Sequence, residues 1–265
     1  MKRSLAALLI SASIFALGGC SRGGSRADLI IAGSTSIQPF ADKWAEVYMK
    51  MYPSRGVNVQ GGGSSAGIQA CKSGACLLGM SSRELKPDEK DLTEVVVARD
   101  GLAIVVHPSN PVRGLSLDQV KQVFAGDILN WKFLGGPGRA ITVVTREEGS
   151  GTRGAFQELV MKTTRIYRGA IVQDSNGTVR EIVAHDPHSI GYISLGLVNA
   201  QVRALALDGV EASEANILNG TYKLVRPFLF LTKGEAPEVV RNFVAFVLSA
   251  EGQKLVQEEG LIPVR

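Results

Sequence analysis

Three short stretches rich in glycine, serine and threonine constrain this chain more than any other feature: Gly33-Ser34-Thr35-Ser36, Gly61-Gly62-Gly63-Ser64-Ser65 and Gly149-Ser150-Gly151-Thr152. Each follows a short β-branched run (Leu29-Ile30-Ile31, Val57-Asn58-Val59, Ile141-Thr142-Val143-Val144) and precedes a segment with helical apolar spacing. A strand that passes into a helix through glycine leaves free backbone N–H groups at the positive end of that helix, and serine or threonine adds hydroxyl donors. Three such turns predict a donor-rich cradle for an anion.

The rest of the chain alternates in the same way. Helices are expected over Ile37 to Met51, Ser65 to Lys72, Leu117 to Phe124, Pro237 to Leu248 and Ser249 to Glu258. Strands are expected at Cys76-Leu77-Leu78, Val95 to Val97, Leu102 to Val106, Ile141 to Val144, Ile190 to Ile193, Val202 to Leu207 and Phe228 to Leu231. The predicted class is α/β.

Lys2-Arg3 followed by the thirteen-residue apolar run Leu5 to Leu17 and by Leu17-Gly18-Gly19-Cys20 reads as a signal peptide ending in a lipobox. The run is short of the roughly 20 residues a spanning helix needs. Residues 1–19 are therefore expected to be removed, Cys20 to be acylated, and residues 20–26 to form a flexible tether. The remaining 246 of the 265 residues lose Lys2 and Arg3, which takes the formal charge from +4 to +2. With 6% aromatic residues and no basic stripe, nothing favours a nucleic-acid surface.

Cys71 and Cys76 remain as an even pair in a chain predicted to be exported, where disulfides persist. A bridge across the Lys72-Ser73-Gly74-Ala75 turn is the expectation, and a pair of buried thiols the alternative. No second ligand pair lies nearby, so no metal site is expected.

Taken in order, these segments resemble a known family, the phosphate-binding lipoproteins that deliver substrate to phosphate ABC transporters. The resemblance rests on the three stretches above together with Ser81-Ser82-Arg83-Glu84-Leu85, Phe124-Ala125-Gly126-Asp127, Asn130-Trp131, Arg146-Glu147-Glu148, Asn176-Gly177, Ile190 to Gly196, Arg226-Pro227-Phe228 and Ser249 to Gln253. It implies a two-lobed periplasmic binding protein of type II, with two hinge-crossing strands and the ligand between the lobes. Asp100 to His107 and Leu224 to Thr232 are the expected crossings. Lobe one then spans 27–104 plus 226–265, and lobe two 105–225. The implied phosphate contacts are Ser34, Thr35, Ser36, Ser64, Ser82, Arg146, Ser150, Gly151 and Thr152, with Arg83 and Glu148 as secondary candidates. No cofactor and no enzymatic activity are implied. The implied partners are inorganic phosphate and ABC permease subunits, with the membrane met only through the lipid, for a monomer facing the periplasm or the cell exterior.

One position departs from the family pattern. Where well-known members carry an aspartate that accepts the proton of a protonated phosphate, this chain has Ser82. A carboxylate there repels fully ionised anions, whereas a hydroxyl can donate or accept, so another tetrahedral oxyanion such as sulfate or molybdate stays open as ligand. Glu148, at the acidic position just before Gly149-Ser150-Gly151, is the best remaining carboxylate, and the resemblance implies that its role is more often to orient the arginine. Arg83 is expected either to reach the anion or to pair with Glu84 or Asp88 on the surface.

Two other motifs arise from the same glycines. Gly149-Ser150-Gly151-Thr152-Arg153-Gly154 satisfies a dinucleotide fingerprint, with Asp174 downstream. Gly63-Ser64-Ser65-Ala66-Gly67 satisfies a nucleophile elbow, with Asp174 and His185 or His188 following in hydrolase order, which makes a secreted serine esterase the reading of a different class.

Overall fold

The computed structural model describes residues 29–264. The expected signal peptide, Cys20 and tether lie outside the described residues. The chain runs β1 (Leu29–Gly33), α1 (Gln38–Met51), β2 (Val57–Gln60), α2 (Ser64–Ser73), β3 (Leu78–Ser81) and the long β4 (Leu92–Val106). It continues through β5 (Gly114–Leu115), α3 (Leu117–Ala125), β6 (Thr142–Arg146), α4 (Gly151–Phe156), β7 (Ile171–Gln173), α5 (Asn176–His185) and β8 (Ser189–Ser194). It closes with β9 (Arg203–Ala204), β10 (Ala206–Leu207), α6 (Glu214–Leu218), β11 (Val225–Lys233), α7 (Glu238–Val247) and α8 (Ala250–Glu258).

The main sheet follows the path β2-β1-β3-β11-β4-β8-β6-β7, with β9 added beside β4. β1 runs parallel to β2 and β3, and β6 runs parallel to β7 and β8. Between these two parallel halves lie β4 and β11, paired antiparallel. β4 belongs to both halves, because it pairs with β11 up to Gly101 and with β8 from Leu102 onward. The change of partner falls between Gly101 and Leu102.

Two expectations about strands are corrected. The segments Val95 to Val97 and Leu102 to Val106 belong to one strand, because Ala98 and Arg99 stay extended and join the first to the expected crossing that starts at Asp100. From Asp100 to Val106 every residue is buried. The stretch Val202 to Leu207 instead divides at Leu205 into β9, which pairs with β4, and β10, which pairs with β5.

Each half has its own core. In the first, Trp44 of α1 stands edge-on to Phe230 at 5.8 Å, beside Phe228 and Phe243, and its indole N–H donates to the Gly252 carbonyl at 3.0 Å. In the second, Phe156 stacks on Tyr192 at 4.1 Å against Phe124 and Trp131. The Tyr192 hydroxyl lies 2.7 Å from Thr145 Oγ1 and accepts from the Arg146 N–H at 3.3 Å, so the core of the second lobe fixes the backbone of Arg146. Helix starts follow local chemistry: Ser116 caps α3 by accepting from the Gln119 N–H, and Ser175 caps α5 by accepting from the Thr178 N–H.

The expected Cys71–Cys76 bridge is corrected, since both are free buried thiols. They sit in an apolar cluster with Ile68, Leu85, Leu229 and Leu231, and the Cys71 thiol donates to the Leu231 carbonyl at 3.3 Å. Their hydrogen-bonded contact and burial push the Cys76 thiol up from its ordinary value. Among the described residues no helix is long and apolar enough to cross a membrane.

Candidate anion-binding site

All three glycine-serine turns meet where the two halves of the sheet face each other. Gly33 ends β1 with φ +138°, and a Cβ there would run into the Met80 carbonyl of β3, so glycine alone lets β1 and β3 close up at this point. Ser34 follows, and its Oγ accepts from the N–H groups of Ser36 (3.2 Å) and Ile37 (3.4 Å), which caps the turn leading into α1. Ser64 opens α2 and Ser150 caps α4 by accepting from the Arg153 N–H at 3.2 Å. The two lobes touch directly: the Ser65 N–H donates to the Gly149 carbonyl at 3.1 Å. A Cβ at Gly151 would run into Ser64 Oγ and come within 2.6 Å of Ser82 Oγ.

Arg146, at the end of β6, is 1% exposed. One edge of its guanidinium is fully engaged. Nε donates to Glu147 Oε2 (3.0 Å) and to the Gln173 carbonyl (3.2 Å). Nη2 donates to Glu147 Oε1 (2.9 Å), the Asp174 carbonyl (2.9 Å) and, across the cleft, Thr35 Oγ1 (3.1 Å). Nη1 is buried and has no partner. A buried charged donor left unpaired is costly, so the position is one that an anionic acceptor would stabilise.

A second arginine lies deeper. Arg226 of β11 donates through Nε (2.9 Å) and Nη2 (2.8 Å) to Asp100 Oδ2 on β4, and its Nη1 reaches the Ser82 carbonyl at 3.3 Å. Asp100 Oδ1 accepts from the Ser194 hydroxyl at 2.8 Å. Burial pushes the Asp100 carboxyl up and the Arg226 guanidinium down from their ordinary values, each opposed by the partner's charge. Both arginines therefore carry their own carboxylate, and the cleft attracts an anion through oriented donors more than through net charge.

Hydrogen-bond counting assigns the hydroxyls. Ser36 Oγ accepts from Asn176 Nδ2 (2.8 Å) and from Arg226 Nη2 (3.2 Å), which uses both lone pairs. Its proton therefore goes to Thr152 Oγ1, 2.7 Å away, and the Thr152 proton is left free to point into the cleft. Ser34 is occupied in the same way, because its two backbone donors leave its proton for Ser82 Oγ at 2.8 Å. The hydroxyls of Ser34 and Ser36, expected from sequence as ligand donors, are thus committed to holding Ser82 and Thr152.

The structure brings Ser34, Thr35, Ser36, Ser64, Ser82, Arg146, Ser150, Gly151 and Thr152 together. It does not bring Glu148 there: its side chain is 93% exposed, because the chain turns and Glu147 takes the inward place on Arg146. Arg83 is neither on the surface nor paired with Glu84 or Asp88 carboxylates. It is buried and bidentate to Glu89 (2.7 and 2.8 Å), and it holds that carboxyl below the usual range. Asp100, Asn176 and Arg226 were given no side-chain role from sequence, although all three fall in segments named there. The available signal was the charge inside apolar strand sequence, Arg226 before Pro227-Phe228-Leu229-Phe230 and Asp100 before Gly101-Leu102-Ala103-Ile104.

Among the described residues no hydrogen bond joins Ser65 to Asp174, His185 or His188. Ser65 lies in the first turn of α2 with Arg83 Nη2 at 3.5 Å from its hydroxyl, while His185 is 76% exposed with its ring on the Glu181 carbonyl. Gly154, the last glycine of the dinucleotide pattern, packs against the Arg83 side chain, where a Cβ would come within 2.7 Å.

Known proteins share this arrangement. The profile of the PBP superfamily domain matches residues 21–251. The phosphate-binding protein PstS of Bacillus subtilis is 37% identical over 242 residues, covering 89% of this chain and 80% of that protein. A structure from Clostridium perfringens, described as a phosphate ABC transporter substrate-binding protein with bound phosphate, superposes with a TM-score of 0.87 at 43% identity, over 89% of this chain and 99% of that one. An ABC-type phosphate transport receptor from Vibrio cholerae gives 0.75 at 38% identity, over 89% and 99%. With its crossed sheet, its three turns and its half-paired arginine, the chain belongs to the PBP superfamily and, within it, to the family of the PstS phosphate-binding proteins.

Proposed function

We propose that this protein captures inorganic phosphate between its two lobes and presents it to an ABC permease, acting as a monomer outside the cytoplasm and held to a membrane only by lipid on Cys20. The unpartnered Nη1 of Arg146 carries the reading, because its two N–H groups are the strongest unused donors in the cleft and suit adjacent oxygens of a tetrahedral anion. The phosphate named for the relatives, and bound in the Clostridium perfringens structure, supports the same ligand. Thr35, Ser64 and Ser82 would hold it from lobe one, and Arg146, Ser150, Gly151 and Thr152 from lobe two. Titration calorimetry with phosphate on the purified chain tests this, and no measurable binding at millimolar phosphate would overturn it.

Ligand contacts made from both lobes exist only when the cleft is shut, so phosphate must favour the closed arrangement. Small-angle scattering is expected to give a smaller radius of gyration with saturating phosphate than without it. Identical profiles would argue against a clamp.

Gly151→Ala tests the same closure sterically. Its Cβ would strike Ser64 Oγ, so each lobe should fold while the two are held apart. Phosphate affinity is expected to fall by at least about tenfold, the equivalent of one 1.4 kcal/mol contact. Unchanged affinity would show that the lobes need not meet at Gly151.

A further inference from the structure

The two outer edges of the main sheet are built differently. The sheet ends in β2 on one side and in β7 on the other. In β2 the exposed positions are Asn58 and Gln60, and Val57 and Val59 are half-buried, which leaves little apolar surface for a further strand. In β7 the exposed positions are apolar: Ile171 is 40% exposed and Val172 54%. Adjacent strand residues point to opposite faces, so β7 offers a β-branched side chain on each.

The backbone of β7 is paired on one side only. The Gln173 carbonyl accepts from the Glu147 N–H at 3.1 Å, which turns the polar groups of Gln173 and Ile171 toward β6. Those of Val172 therefore point outward, where the sheet has no further strand. An outward N–H and C=O flanked by apolar side chains form a template for strand addition.

The approach to this edge carries one sign of charge. Lys162, Arg165 and Arg168 precede β7 and are exposed, and among the described residues none of their side chains has an ion pair or a hydrogen bond. The neighbouring carboxylates leave them free: Asp174 Oδ1 accepts from Thr178 Oγ1 at 3.2 Å, and neither Glu158 nor Asp127 pairs with any of the three. The run is held in shape, because Gln157 Nε2 donates to the carbonyls of Lys162 (2.7 Å) and Thr164 (2.8 Å), and the Tyr167 N–H donates to the Phe124 carbonyl at 2.7 Å.

We propose that the free edge of β7 is a docking site for an extended acidic segment of a partner protein, which adds a strand beside Val172 and sets its carboxylates against Lys162, Arg165 and Arg168. Like charge disfavours a second copy of this chain here, and a lipid surface does not supply the paired donor and acceptor that Val172 presents. The edge is joined to the cleft, since Gln173 and Asp174, the next two residues, hold Arg146 through their carbonyls.

The test is residue-resolved amide hydrogen exchange by NMR on the purified chain, with the acetylated peptides Val-Glu-Val-Thr-Val-Glu and Val-Lys-Val-Thr-Val-Lys as probes. The acidic peptide is expected to slow exchange of the Val172 N–H, and the lysine peptide is not. Val172→Pro removes that N–H while the bonds to β6 remain, so it should weaken the acidic peptide, read by fluorescence anisotropy, by at least about tenfold with the melting temperature unchanged. Arg165→Glu/Arg168→Glu leaves the backbone edge intact and should reverse the preference toward the lysine peptide. Equal binding of both peptides by the wild-type protein, or no protection of Val172, would overturn the proposal. So would wild-type affinity for the acidic peptide in Val172→Pro. Binding of phosphatidylglycerol vesicles without binding of the peptide would overturn it in favour of a membrane surface, and dimers that Val172→Pro abolishes would overturn it in favour of a second copy of the chain.

Discussion

Arg146→Ala is expected to lower phosphate affinity by about 30- to 1,000-fold while the protein stays folded. Charge-assisted contacts from a buried guanidinium contribute more than neutral hydrogen bonds, and about 2–4 kcal/mol is the scale of their loss. The fold should survive because the backbone of Arg146 is held by β6 pairing and by Tyr192, neither of which needs the side chain. The carboxylate left behind is not stranded either, since Glu147 is about one-third exposed and can rehydrate. Arg146→Lys separates charge from shape. A lysine keeps the charge but cannot hold Glu147 with one edge and the anion with the other, so it should recover only a small part of the affinity. Calorimetry for binding and thermal melting for folding read the two effects separately, and near-normal affinity in Arg146→Ala would remove Arg146 from the site.

The contrast between what the sequence displayed and what it concealed has a physical pattern. The three glycine-serine turns were visible because backbone geometry at a strand-to-helix junction demands particular residues, and Gly33 illustrates this with a position no Cβ can occupy. Helices α1, α7 and α8 were visible because their apolar spacing faces one core, that of Trp44, Phe230 and Phe243. The continuity of β4 was half visible: Asp100 to His107 was expected as a crossing strand, but its join to Val95-Val96-Val97 was not, since the arginine that neutralises the buried Asp100 is 126 residues away. Comparable separations, 140 and 94 residues, hid the roles of Asn176 and Ser194, whose significance lies in closing a ring of hydrogen bonds through Ser36, Arg226 and Asp100. Glu147 and Glu148 show the limit most plainly. Two adjacent glutamates are equivalent in sequence, and only the direction of one turn decides which of them meets the arginine.

That ring also joins folding to function, since it ties β4 and β11, which run between the lobes, to Ser36 and Thr152 on the two sides of the cleft. A buried pair of this kind contributes little over an apolar replacement, but removing one partner leaves an uncompensated charge in the interior. Asp100→Ala is therefore expected to destabilise the protein by about 3–5 kcal/mol, because Arg226 is 1% exposed and its guanidinium would remain with only neutral acceptors. For a chain of this size that corresponds to a melting temperature lower by roughly 6–20 °C. The double variant Asp100→Ala/Arg226→Met removes both charges and fills the space of the arginine with an apolar side chain, and should recover most of the lost stability. It should not recover phosphate binding to the same extent. Ser36 then loses the Arg226 donor that fixes its proton toward Thr152, and Ser82 loses the guanidinium on its carbonyl, so the cleft hydroxyls are no longer held in one direction. Thermal melting and phosphate calorimetry on both variants distinguish the two roles. A double variant as unstable as Asp100→Ala would show that the cost lies in lost packing and not in a stranded charge, and one that binds phosphate with wild-type affinity would detach the arginine from the organisation of the site.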